Sequence, residues 1–215
     1  MIIKFKKKGL TLPSTFLLDN IKIISVIYLF LIVGSYVCID KTLALYFQTL
    51  SPLVQAPFLF IGKVCCPIAW ILILPAIFFY IRFVMRREKK SRKVWYMSLA
   101  LPLVILACKL LELILGKATP EWFFLHQETP FRFFEWNKSF HSFPSITSAT
   151  IAGIFVSLSC VFAKQRFFLL IGGALLVFAP VITSTCFLSD ALAGFYVGGI
   201  ISQWVFQKVR REVSL

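Results

Sequence analysis

The sequence predicts an all-α integral membrane protein: six transmembrane helices bundled in a single membrane domain over residues 1–215. Three observations lead there. Hydrophobic residues make up 59% of the 215 positions and charged residues 15%, against roughly 45–50% and 25% in a soluble domain. A soluble fold of this size has too little interior to hide that much apolar surface, 24 Phe included. The apolar residues also run continuously for about 20 positions at a time, as spanning helices require, and do not alternate as in a β-barrel. Lastly, the bases cluster in short groups beside these runs.

The spans are read at 21–39, 65–84, 95–115, 145–163, 167–186 and 189–207. Lys4, Lys6, Lys7 and Lys8 lie well before the first, and no small-x-small site follows Cys38, so the first span is expected to be an uncleaved anchor. Segment 41–64 is expected outside as an interfacial helix. The second span ends in the basic stretch Arg82 to Lys93. The third leads into the long outer loop 116–143, whose Trp122, Trp136 and several Phe suit the headgroup layer. Ser145, behind Pro144, is placed to cap the fourth. Pro180 is expected to kink the fifth, and Asp190 sits at the entrance of the sixth.

Charge sets the orientation. The N-terminal lysines, Lys22, the Arg82–Lys93 stretch, Lys164, Arg166 and the run Lys208 to Arg211 all fall on one side, where the acids are Asp19, Glu88 and Glu212. The bases left over (Lys41, Lys63, Lys109, Lys117, Arg132, Lys138) are matched by Asp40, Glu112, Glu121, Glu128, Glu135 and Asp190. The whole net charge of +14 therefore lies on one face, which makes both termini cytoplasmic. No basic face interleaved with aromatics occurs, so no nucleic-acid partner is expected.

Cys38, Cys65, Cys66, Cys108, Cys160 and Cys186 fall within or at the ends of spans and lack metal-ligand spacing. They read as small apolar core residues. His126 and His141 both lie in the outer loop and read as interfacial residues, so no metal or cofactor is expected. Ionisable residues within spans are costly and are functional suspects by default: Lys109, Glu112 and Asp190. Lys109 and Glu112, three apart, share a helix face and can pair.

Three outer segments carry a family resemblance. Gly116-Lys117-Ala118-Thr119-Pro120-Glu121 follows the third span, and Ser142-Phe143-Pro144-Ser145-Ile146-Thr147 opens the fourth. Ala179-Pro180 through Cys186 to Ser189-Asp190-Ala191-Leu192-Ala193-Gly194 bridges the fifth and sixth. In order, spacing and side these resemble the three signature motifs of the type 2 phosphatidic acid phosphatase family. The third segment looks most like bacterial lipid phosphatases, lipid A phosphatases among them. The resemblance runs from the third span onward. It implies a six-helix bundle that removes phosphate from lipids at the outer membrane face.

The framework residues match at Gly116, Pro120, Phe143, Pro144, Ser145, Ser189, Asp190, Ala193 and Gly194, while the family's reactive residues are replaced. Where the first motif has Lys and Arg, this chain has Glu112 and Thr119. Where the second has Gly and a general-acid His, it has Ile146 and Thr147. Where the third has Ser, Arg and a nucleophilic His, it has Ala179, Pro180 and Cys186. Among the polar site positions Ser145 and Asp190 remain. In the family a Lys and two Arg would hold a dianionic phosphate. At an effective dielectric of ~20, each cation lost at ~4 Å forfeits about 4 kcal/mol of attraction, and Glu112 adds repulsion. Fixed positive charge is most of phosphoryl-transfer catalysis.

The function expected is therefore that of a catalytically degenerate homologue, a pseudoenzyme of the cytoplasmic (inner) membrane. It would bind a membrane lipid or a membrane protein partner at an outward-facing pocket, with Lys109, Glu112, Lys117, Ser145 and Asp190 as pocket candidates. The alternative is an atypical lipid phosphatase or phosphotransferase using Lys109, Lys117 and His141 in displaced roles. Cys186 as a nucleophile would need cations around its thiolate, yet Asp190 stands one turn away. Asp190 itself has three states open to it: neutral, bonded to Thr183 or Ser189, or paired with Lys109.

Overall fold

The computed structural model describes residues 21–71 and 92–214. The N-terminal lysines, most of the second span beyond Ile71 and most of the basic stretch after it lie outside the described residues. The helices are α1 Ile21–Cys38, α2 Asp40–Gln48, α3 Pro52–Ile71, α4 Arg92–Leu115, α5 Pro120–His126, α6 Ile146–Val161, α7 Arg166–Leu176, α8 Ala179–Ile182 and α9 Leu188–Ser214. Among the described residues the only extended pairing is a single antiparallel bridge between Lys117 and Phe131.

Helix α6 is the axis of the bundle. It starts where Ser145, in extended backbone, accepts the Ser148 N–H on its side chain at 3.3 Å, the cap the sequence predicts. Ten of its sixteen residues are buried, on all sides, as in a helix enclosed by neighbours. It packs against α9 most extensively, and against α7, α4 and α3; α1 lies on α9. The α6–α9 approach is close because Gly194 and Gly198, one turn apart, face it. A Cβ on Gly194 would stand 2.4 Å from the Ser145 carbonyl oxygen, and one on Gly198 would stand 2.3 Å from that of Ala149. Small residues spaced in this way let two helix backbones touch.

Apolar packing fills in around this contact. Ala100, Val156, Cys160 and Val205 form one buried group, Val104, Cys108 and Ala149 a second, and Ile151, Ala152, Val177, Val181, Cys186 and Ala191 a third. The apolar reading of Cys108, Cys160 and Cys186 agrees with their burial; Cys38 is exposed.

One expectation is corrected. Segment 41–64 is not one interfacial helix preceding a span at 65. Helix α2 ends at Gln48, and Pro52 opens α3, which runs unbroken through the expected boundary to Ile71. Pro fits a helix's first position, and Gln55 and Lys63 interrupt the hydropathy without interrupting the helix. The loop 116–143 holds a helix of its own, α5, with Thr119 as N-cap and Pro120 just inside it. Near Pro180, expected to kink the fifth segment, the helix is interrupted: α7 ends at Leu176 and α8 restarts with the proline in its first turn.

Sixteen residues of α6 rise ~24 Å, short of a hydrocarbon core of ~30 Å. No single helix among the described residues is long and apolar enough to cross a membrane. The pair α1–α2 meets that requirement together, across a 60° bend, and α6 and the segment Arg166–Ile182 are shorter apolar helices.

Candidate functional site

The site forms where three chain segments meet at one end of α6 and α9. Gly116 ends α4 with φ +50, a left-handed turn that glycine adopts without strain. A Cβ there would fall 1.7 Å from the Arg132 carbonyl oxygen. Its N–H closes on the Glu112 carbonyl at 2.9 Å, and its own carbonyl receives the Arg132 N–H at 2.7 Å. This turn directs the next residue, Lys117, into the protein.

Lys117 is 1% exposed. Its ammonium donates to Asp190 Oδ1 at 2.7 Å, to Ser189 Oγ at 2.7 Å and to Asp40 Oδ2 at 3.1 Å. An ammonium has three protons, and each has an acceptor here. Rings surround it as well, with Phe187, Tyr36 and Phe143 centred 4.6, 4.8 and 5.8 Å away. Burial pulls the ammonium toward its neutral form, but Asp190 and then Asp40 reverse this, holding its pKa above the ordinary lysine value of 10.5.

Asp190 is fully buried in the first turn of α9. Its Oδ2 accepts the Phe187 N–H at 3.0 Å, closing the start of the helix in the manner of a capping box. The same oxygen takes the Ser142 hydroxyl, and the Asp190 carbonyl takes the Ser145 N–H at 3.0 Å. Asp40, in the first turn of α2, accepts the Ser189 N–H at 2.9 Å and the Ser189 hydroxyl.

Of the pocket candidates, Lys117, Ser145 and Asp190 come together. Cys186 joins them, buried beside Ser145 and within electrostatic reach of Asp190, Lys117 and Asp40. Glu112 is buried and Lys109 half-exposed; they pair at 3.0 Å as the three-residue spacing predicts. Of the partners open to Asp190, the cation is Lys117 and not Lys109. The Ser189 hydroxyl is also within hydrogen-bond distance of Asp190 at 3.4 Å, whereas Thr183 bonds to the Pro180 carbonyl and Thr185. Thr119 caps α5 at the rim, and Thr147 lies against α3 near Gly62. The Pro180 carbonyl anchors the loop to α9 by accepting the N–H groups of Thr185 and Cys186.

The three residues of the displaced catalytic set each engage other partners. Lys109 is held by Glu112, Lys117 is enclosed by carboxylates, and the His141 Nε2 meets the Glu135 carbonyl at 3.0 Å. His126 stacks on Trp122, ring centroids 3.8 Å apart. No group of three or more His, Cys, Asp or Glu side chains able to hold a metal occurs among the described residues. Asp40 is the residue that the sequence reading missed. It counted there as an outer charge balanced in bulk, and nothing local tied it to Lys117.

The polar residues of this helical bundle gather where a long loop meets the N-termini of two packed helices. The chain belongs to the PAP2 superfamily, whose family model matches residues 93–214. The matched segment runs from α4 through α9 and contains all three segments that carry the resemblance. Comparison with curated proteins gave no match, and comparison with solved structures gave none.

Proposed function

We propose that this protein is a non-catalytic member of the superfamily. It would be an integral membrane protein with six spans and cytoplasmic termini, and would act by binding a lipid or a membrane protein at its outward-facing end. One observation carries the reading. Lys117 is the only base among the residues whose burial is described that is buried, and two carboxylates and a hydroxyl already use all its donors. With Glu112 standing where the family has its first cation, a dianionic phosphate arriving here would meet net negative charge and no free donor from Lys117.

Family membership and the composition support placement in a membrane. The outer loop supports contact with lipid: Phe133, Phe134 and Trp136 are exposed at its tip, where aromatic side chains favour the headgroup layer. The test is phosphate release by detergent-purified protein from phosphatidic acid, phosphatidylglycerol phosphate, undecaprenyl diphosphate and lipid A. Folded protein should release no more than protein-free micelles. Release above that blank, lost in Asp190→Asn, would overturn the proposal.

A further inference from the structure

Asp40 stands at the 60° bend between α1 and α2, and every donor it engages among the described residues belongs to another part of the chain. One oxygen accepts the Ser189 N–H, from the first turn of α9; the other takes the Ser189 hydroxyl and the Lys117 ammonium. A helix-terminal amide, a hydroxyl and a buried ammonium make up a donor set suited to binding a carboxylate from solution. Here the carboxylate arrives on the chain itself, from 149 positions before Ser189 and 77 before Lys117. Ala44 of α2 packs with Phe123 and Phe187 around it, so the bend closes the site it fills.

We propose that the α1–α2 bend is an internal ligand: Asp40 fills a monoanion site of the small-carboxylate class built by Lys117 and Ser189. The charge arithmetic limits the site to one negative charge. Asp190 remains on the other side of Lys117 at 2.7 Å, so a carboxylate restores the native balance and a phosphate dianion exceeds it. The inference stands whether or not the protein turns over phosphate, because it concerns what occupies the site at rest.

The experiment uses full-length protein in detergent and the substitution Asp40→Ala, which empties the site. Unfolding midpoints are compared in formate, acetate, phosphate and chloride at matched ionic strength. Each variant is referred to wild type in the same salt, which removes the general effect of each anion on burial. Asp40→Ala is expected to unfold lower in chloride and phosphate and to regain at least half of the loss in formate, saturably. Acetate should restore less, because its methyl group needs additional room.

Asp40→Ala/Lys117→Met, with the cation gone too, is expected to ignore formate. If Asp40→Ala does not survive extraction in chloride, extraction in formate is expected to yield monodisperse protein. A wild-type midpoint in Asp40→Ala, equal effects of formate and chloride, a formate response in the double variant, or recovery in neither salt overturns the proposal.

Discussion

Lys117 and Asp40 lie 77 positions apart in sequence, yet the ammonium of one is 3.1 Å from the carboxylate of the other, with both side chains 1% exposed. Together with Asp190 they form a buried triad of one cation and two anions, satisfied further by Ser189 and Ser142. Such a group resists removal of one member more than removal of all, because a lone buried charge retains its desolvation cost without its partner.

Lys117→Met should therefore destabilise the protein by about 3–5 kcal/mol. Lys117→Met/Asp40→Asn/Asp190→Asn should recover a large part of that loss, since it leaves no net charge in the site. Equilibrium unfolding in detergent, run as a cycle over the variants, measures both. A triple variant no more stable than Lys117→Met would contradict the triad's role.

The same triad gives an alkaline signature. The folded-state pKa of Lys117 lies above its ordinary 10.5, so the stabilisation from its charge is fully present below 10.5 and is lost as pH rises through the raised value. The difference in unfolding midpoint between wild type and Lys117→Met should be constant from neutral pH to about 10 and shrink above that. Taking the difference between the two proteins cancels the tyrosines and other lysines that titrate in the same range.

The α6–α9 contact should tolerate no added side-chain atom. Gly194→Ala and Gly198→Ala each place a Cβ within 2.4 Å of a backbone carbonyl oxygen, and overpacking of this kind costs roughly 1–3 kcal/mol or more. Gly34→Ala is the control. It lies within α1 with nothing inside 4 Å of the new atom, and should be stabilising by up to ~1 kcal/mol from helix propensity alone. Thermal unfolding of the three variants side by side separates the close approach from propensity.

At the loop tip, Phe133→Ser/Phe134→Ser/Trp136→Ser should leave stability within about 0.5 kcal/mol of wild type, because these rings are exposed and away from the packed core. If the tip holds lipid, the amount of lipid that co-purifies should fall. Mass spectrometry of extracted lipid, normalised to protein, reads this directly, and unchanged retention would remove the tip from the binding surface.

What could be read from the sequence was local. The Ser145 cap, the break at Pro180 and the Lys109–Glu112 pair each rest on residues within one helical turn, where spacing determines geometry. The start of α3 at Pro52 was also marked, by a Ser-Pro pair, but Gln55 and Lys63 weaken the apolar run and the hydropathy reading passed over it. Asp40 and Lys117 could not be matched by any such rule. Balancing charges side by side requires only that acids and bases share a face, and six of each did. The pairing depends instead on the left-handed turn at Gly116, which aims Lys117 inward, and on the bend that brings Asp40 to the start of α9. A glycine followed at once by a lysine at a helix end is the one sequence mark that anticipates the first half of this.

The bend after Cys38 has a consequence for where the protein's parts begin and end. The family match covers 93–214, yet the second carboxylate on Lys117 comes from residue 40. A fragment cut to the recognised segment would keep the lysine and lose one of its two counter-charges, along with the α2 wall around it. The smallest piece able to fold as this protein folds is therefore larger than the piece by which its kinship is recognised, and the N-terminal helices are structural members of the bundle.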